Sequence, residues 1–119
     1  MATVELTTEN FESVINDNPN VIIDFWAGWC GPCRSFAPTY EAASEARSDI
    51  VFGKVDTEAQ QAIAASFNIR SIPTLTIFRD QIIIYSEAGA LPPAAFDQLI
   101  EQAMALDRAA VRAVSAKEQ

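Results

Sequence analysis

Residues 21–33 read VIIDFWAGWCGPC, and the fold turns on how that run is divided. Val21 to Trp26 is short and almost wholly apolar, the pattern of a central strand covered on both faces. The residues that follow include Cys30 and Cys33, the only two cysteines in a chain of 119 residues. Only Gly31 and Pro32 separate them, at the point where the strand ends and a helix begins. In open α/β sheets the crevice at the carboxyl ends of strands is where ligands and chemistry gather.

Downstream, the spacing predicts a helix from the cysteines to about Arg47. Phe36, Tyr40 and Ala43 lie on one side of it. Pro38 lies inside, where proline costs roughly 3 kcal/mol and kinks the axis. IVFGKV (Ile50 to Val55) reads as the next strand and EAQQAIAASF (Glu58 to Phe67) as a helix. RSIP (Arg70 to Pro73) is a loop, and TLTIF and IIIYSE form a hairpin across Arg79, Asp80 and Gln81. Asp80-Gln81 lacks the glycine that a type I′ turn favours, so a looser tip is expected.

The last helix is expected to open after Pro92 and Pro93. Its stripe is Phe96, Leu99, Ile100 and Ala103. Beyond Leu106 the stripe thins to Ala110, Val111 and Val114, and an extended or fraying end of that helix is expected. Upstream, Thr8 is the expected N-cap of a first helix carrying Phe11, Val14 and Ile15 and ending near NDNPN. The fold class that follows is α/β, a central mixed sheet with a parallel core and an antiparallel hairpin, helices covering both faces. No repeat, low-complexity tract or linker divides the chain.

Eight Lys and Arg against sixteen Asp and Glu give a net charge of −8. Such a chain repels phosphate backbones and anionic lipid surfaces, so neither nucleic acid nor membrane is an expected partner. The start MATVELTTENFE has no basic residue, and no apolar run approaches the roughly 18 residues of a membrane span. A cytoplasmic location is the expectation. That compartment keeps thiols reduced, so paired cysteines there are catalytic or metal-binding more often than structural.

Near a helix N-cap, Cys30 faces free backbone N–H groups and the positive end of the helix dipole, which favour a thiolate. Cys33 falls in the first turn. A structural disulfide competes poorly, because so short a loop removes only about 2 kcal/mol of chain entropy. A zinc site needs four ligands, usually Cys and His, and the chain has no histidine. That absence also removes Cys-His and Ser-His-Asp hydrolases. Two inert core cysteines would sit inside a strand or helix rather than around Gly31-Pro32. Redox chemistry is the favoured reading of the four.

Asp24 supports it from within the same strand. Alternation puts Ile22, Asp24 and Trp26 on one face, and a lone buried carboxylate normally answers its cost by a raised pKa. Behind a dithiol, such an acid could take the proton of Cys33. Lys54, in the adjacent GKVD strand, is the neighbour expected to hold its negative charge. The alternative is that Asp24 merely hydrogen-bonds backbone or pairs with Lys54 for structural reasons.

DFWAGWCGPCR, KVDTE, IRSIPT and GALPP together resemble the thioredoxin family, in particular its small bacterial members, over roughly residues 3 to 105. The resemblance implies disulfide reduction in other proteins. It implies that Cys30 attacks, Cys33 resolves the mixed disulfide and Asp24 assists Cys33. It matches Pro73 to the family's proline beside the cysteines, expected to be cis. Ile72 would pair its backbone with the substrate chain, and Trp29, Gly31, Pro32, Gly89 and Ala90 would line the contact surface. Thioredoxin is itself a standard example of a lowered cysteine pKa, about 7, so that figure belongs to the resemblance.

No bound cofactor is implied. Electrons would come from NADPH through a flavin-containing thioredoxin reductase, which with disulfide-bearing target proteins makes up the expected partners of a monomer. Arg34 stands where many relatives have lysine, and Asp80-Gln81 where they have Asn-Gly or Asp-Gly. The expected organisation is a thioredoxin domain over residues 1–106 and a C-terminal extension over 107–119. A disulfide oxidase or isomerase, and a binding or chaperone-like subunit with a dispensable dithiol, are the alternative functions.

Overall fold

The computed structural model describes residues 2–117. Met1 lies outside it, as do Glu118 and Gln119 at the end of the expected extension. The central strand β2, Asn20–Trp26, is buried from Val21 to Phe25, as a run without polar alternation requires. Its neighbours are the parallel strand β3, Val51–Asp56, and the antiparallel strand β4, Thr74–Arg79. The short strand β1, Thr3–Glu5, pairs in parallel with β3, and β5, Ile82–Ala88, pairs antiparallel with β4. The sheet order is β1-β3-β2-β4-β5.

Two apolar clusters cover the sheet. Ile22, Phe52, Leu75 and Ile77 meet Phe36, Tyr40 and Phe96 from the helices α2, Gly31–Ala46, and α4, Pro93–Ala105. Val21, Ile23, Phe25 and Val55 meet Ile15 and Ile63 from α1, Phe11–Asp17, and α3, Gln61–Ser66. The alternation along β2 therefore splits its side chains between two cores, with helices on both faces. Pro38 sits inside α2, which continues to Ala46.

Several local expectations are corrected. β1 was not foreseen, because three residues of alternating character carry little signal, yet Leu6 just beyond it is fully buried and continues the ladder through Leu6 N to Lys54 O, 2.9 Å. Thr8 is not the N-cap of α1. The chain makes an extra turn first, with Asn10 at the cap position and its Oδ1 accepting from Thr7 N at 2.7 Å. The helix expected over Glu58–Phe67 is confined to Gln61–Ser66, since Asp56 Oδ1 accepts from Glu58 N and holds that segment in a turn.

The hairpin tip is also tighter than expected. Arg79 pairs with Ile82, leaving a two-residue loop, and Asp80 and Gln81 have φ of 51° and 70°. Positive φ at both positions is the type I′ signature, which fits the right-handed twist of the strands. Pairing of β4 with β5 overrides the weak local preference, and aspartate tolerates this region better than most residues.

The last helix does not extend into the tail. α4 ends at Ala105, and a separate helix α5, Arg108–Lys117, follows. Arg79 Nη1 donates to Ala103 O at 2.9 Å and Leu106 O at 2.8 Å, satisfying carbonyls that a helix end leaves free. Asp107 Oδ1 accepts from Ala110 N at 2.7 Å, an N-cap bond for α5. α5 packs on β5 and buries Val111.

Candidate active site

Cys30 occupies the N-cap of α2, with extended backbone, and its Sγ accepts from Cys33 N at 3.2 Å. Gly31 and Pro32 fill the first two helical positions, where proline costs no hydrogen bond. The two cysteines are joined as a disulfide with Cα atoms 5.2 Å apart. Both residues are almost fully buried. Cys30 Sγ lies 3.7 Å from Ile72 O, which brings the loop before β4 against the cysteine pair. The Ile72–Pro73 peptide is cis.

Gly89 reaches the same place from the end of β5. Its φ of 117° is one that side chains rarely adopt, and its N–H donates to Pro73 O at 2.8 Å. Ala90 is exposed beside it. Gly31 and Pro32 are exposed, Ile72 is half-buried and Pro73 buried. Trp29 projects into solvent at 68% exposure, and its Nε1 donates to Glu58 Oε1 at 2.7 Å. A groove of about 230 Å³ runs beside it, lined by Trp29, Thr57, Ala64, Ile69, Arg70 and Ile72, with Ser71. Of the residues expected at the contact surface, Trp29 and Ile72 line this groove, and Gly89 is tied to Pro73 by its N–H.

Asp24 lies deeper, with the half-buried Lys54 beside it. They are register partners on β2 and β3. Asp24 is 1% exposed, and neither carboxyl oxygen has a hydrogen-bond partner. Burial pushes its carboxyl up from 3.8 to about 7, against the attraction of Lys54, which pulls it down. Lys54 does not bond the acid. Its Nζ sits 4.7 Å from the centroid of the Trp26 ring, a cation–π contact. The pair acts by field rather than by contact.

Two participants were missed in the sequence. Tyr40 was read as core only, yet its hydroxyl lies 2.9 Å from Ile22 O and 2.7 Å from Gly53 O, clasping α2 to the two strands that carry Asp24 and Lys54. Burial and the charge of Asp24 hold its phenol well above 10.0. Glu58 fixes the Trp29 ring, and no spacing rule links positions 29 apart in the chain. Among the described residues no group of three or more His, Cys, Asp or Glu could hold a metal ion. No helix among them is long and apolar enough to cross a membrane.

A cysteine pair at a helix N-terminus, an exposed tryptophan and a buried acid on the strand that leads to them fit thiol chemistry, and comparison with known proteins decides the family. The thioredoxin family model matches residues 2–102. The chain belongs to the thioredoxin family. A Streptomyces coelicolor protein with the provisional name thioredoxin 2 is 55% identical over 118 residues, covering 99% of this chain and 88% of that protein. Thioredoxin C-3 of Corynebacterium nephridii is 39% identical over 100 residues, 83% of this chain and 69% of that one.

A solved thioredoxin of Plasmodium falciparum superposes with a TM-score of 0.77 at 37% identity, over 82% of this chain and 96% of that one. The Streptomyces match takes in nearly the whole chain and so includes α5. Thioredoxin-family membership and the cysteine pair make this protein a thiol-disulfide oxidoreductase that reduces protein disulfides by reversible exchange at Cys30 and Cys33. Proteins of this family carry out that chemistry on their own cysteines, without a bound cofactor.

Proposed function

We propose that Cys30 is the attacking thiol and Cys33 the resolving one. The observation that carries this assignment is the position of Cys30 at the N-cap of α2, with its Sγ 3.7 Å from the carbonyl of Ile72, a residue that lines the Trp29 groove. The helix terminus favours its thiolate. In the reduced protein this thiolate attacks one sulfur of a target disulfide. A Cys30–target bond forms, the target S–S bond breaks, and the other target sulfur leaves as a thiolate that takes a proton from solvent.

Cys33 then gives up its proton and attacks Cys30 Sγ. The second target sulfur leaves, and the products are the Cys30–Cys33 disulfide and a target dithiol. Asp24 serves as the base for Cys33, directly or through a water. A carboxyl at about 7 is half ionised near neutral pH, which lets it both take the proton and return it. Lys54 sets the carboxyl's level by its charge. Ile72 offers its backbone to the target chain, Pro73 shapes the loop, and Trp29, Gly31, Pro32, Gly89 and Ala90 provide the contact rim.

The disulfide formed must be reduced again, and we assign that step to a flavin-containing thioredoxin reductase drawing on NADPH. Target proteins carry accessible disulfides. One structural neighbour, 29% identical over 85% of this chain with a TM-score of 0.77, comes from work on a yeast mitochondrial 1-Cys peroxiredoxin and its resolution by glutathione and thioredoxin systems, which makes thiol peroxidases a reasonable target class. The reading places the protein in the cytoplasm as a monomer, with residues 1–106 as the redox domain and 107–119 as its extension.

The test is the equilibrium potential of the Cys30–Cys33 pair together with turnover by a thioredoxin reductase and NADPH. A value near the reference for thioredoxin, about −270 mV, supports a reductant, whereas about −180 to −120 mV would make it an isomerase or oxidant. Cys33→Ser should trap the target on Cys30, and Cys30→Ser should abolish reduction. Full function of the doubly substituted chain would instead show a binding subunit.

A further inference from the structure

The distribution of positive charge around the dithiol is not that of the rest of the chain. Residues 2–107 contain five basic side chains, Arg34, Arg47, Lys54, Arg70 and Arg79. Three are committed elsewhere. Arg47 pairs with Asp49 at 3.0 Å and Glu101 at 2.8 Å, Arg79 caps the end of α4, and Lys54 sits over the Trp26 ring. Arg34 and Arg70 have no carboxylate partner among the described residues, and both are exposed.

These two flank the site. Arg34 follows Cys33 directly, and its Nη1 donates to Gly28 O at 3.0 Å, which anchors the guanidinium beside the cysteine turn while leaving its other N–H groups free. Arg70 lines the Trp29 groove. It stands two residues before Ile72, whose carbonyl lies 3.7 Å from Cys30 Sγ, so its Cα is at most about 7 Å from that of Ile72. Glu58, on the Trp29 side, accepts from the indole N–H and keeps its single negative charge against the two arginines. On a chain of net charge −8, Arg34 and Arg70 set positive charge beside the dithiol, and the other basic run, Arg108, Arg112 and Lys117, lies in α5.

We propose that Arg70, seconded by Arg34, is a specificity determinant that favours target segments carrying a carboxylate within about three residues of the disulfide cysteine, a reach set by extended-chain spacing. The inference rests on the reading that the target chain enters the Trp29 groove beside Ile72. The occupant is an extended, acidic segment of an oxidised protein. Charge complementarity carries the argument: the net negative charge of the chain opposes an acidic partner in general, whereas at this rim two guanidinium groups without a carboxylate partner among the described residues meet it. Arginine also offers a carboxylate two parallel N–H donors, which lysine does not.

The test uses three peptides, each with one disulfide, identical except for Glu, Gln or Lys two residues from the cysteine. Hydroxyethyl disulfide serves as an uncharged control for each protein preparation. The full chain should reduce the Glu peptide with a kcat/KM about threefold to tenfold above that of the Lys peptide, the range expected for exchanging exposed attraction for repulsion.

That ratio should collapse toward unity at about 1 M salt, where the Debye length is about 3 Å. It should shrink in Arg70→Gln and invert in Arg70→Glu. A ratio near unity in the parent chain at low salt overturns the inference, as does a ratio unchanged by either substitution. Intact reduction of hydroxyethyl disulfide in those cases leaves the reductase reading standing, whereas failure of the parent chain on all four substrates would overturn that reading instead.

Discussion

Replacing Asp24 with asparagine separates the cost of the buried acid from its use. The carboxyl titrates at about 7 in the folded chain and at 3.8 ordinarily, roughly three decades of proton affinity, and each decade is worth about 1.4 kcal/mol. The sign follows from which state holds the proton. The folded state binds it more tightly, so stability is greatest while the acid is protonated in both states and falls as pH rises above 3.8. The loss accumulates until about 7, beyond which both states are ionised and the curve is level. At pH 8 the accumulated cost is about 4 kcal/mol.

Asp24→Asn keeps the shape and polarity of the protonated acid and cannot ionise. Urea denaturation of the oxidised chain from about pH 3 to about pH 8.5 should therefore give two curves that meet near the acid end and diverge with rising pH. The asparagine variant should be the more stable by about 4 kcal/mol at pH 8. All other titrating groups contribute to both curves, so the difference isolates this carboxyl. Parallel curves would refute the reasoning. The same variant should slow the Cys33 step near neutral pH and accumulate the mixed disulfide, the functional return for a destabilising group.

Lys54→Gln removes the attraction that offsets burial, so the Asp24 carboxyl should move further above 7, observed as a shifted carboxyl band in infrared titration. At Gly53 a Cβ would lie 2.5 Å from Leu6 Cδ1 and 3.0 Å from Leu6 Cγ, and Leu6 is fully buried. Gly53→Ala should then cost about 1–3 kcal/mol in thermal or urea unfolding, and a neutral effect would show that β1 shifts freely. Val111→Ala should cost about 2 kcal/mol if α5 unfolds with the sheet; an unchanged global transition, with early hydrogen exchange in α5 alone, would show that the helix detaches first.

What the sequence disclosed and what it hid divide along physical lines. β2 was legible because burial on both faces leaves a continuous apolar run. Asp24 stood out against that run, and Cys30 and Cys33 stood out by their rarity and by the strand-to-helix boundary. Features made by tertiary pairing were not legible. Thr3–Glu5 becomes a strand only because β3 offers it an edge. Asp80 and Gln81 adopt the tight turn because β4 and β5 are already paired at Arg79 and Ile82. The break before α5 depends on Arg79, a strand residue, supplying donors to Ala103 and Leu106. Trp29 meets Glu58 across a fold-determined gap.

The mixed sheet itself explains why the site converges where it does. Parallel β3 runs alongside β2 in the same direction, so Lys54 arrives level with Asp24. Antiparallel β4 must start at the carboxyl end of β2, and it does so with Thr74 opposite Phe25. The residues just before Thr74, Ile72 and Pro73, are thereby delivered to the end of β2 from which the chain continues to Cys30. A parallel β4 would have placed them at the opposite edge. Register is equally binding, because a slip of one residue along β2 would turn Asp24 into the cluster built on Ile15 and Ile63 and expose Phe25 to the face beneath α2. The apolar residues on either side of Asp24 fix that register, and so the buried acid stays on the face that α2 covers.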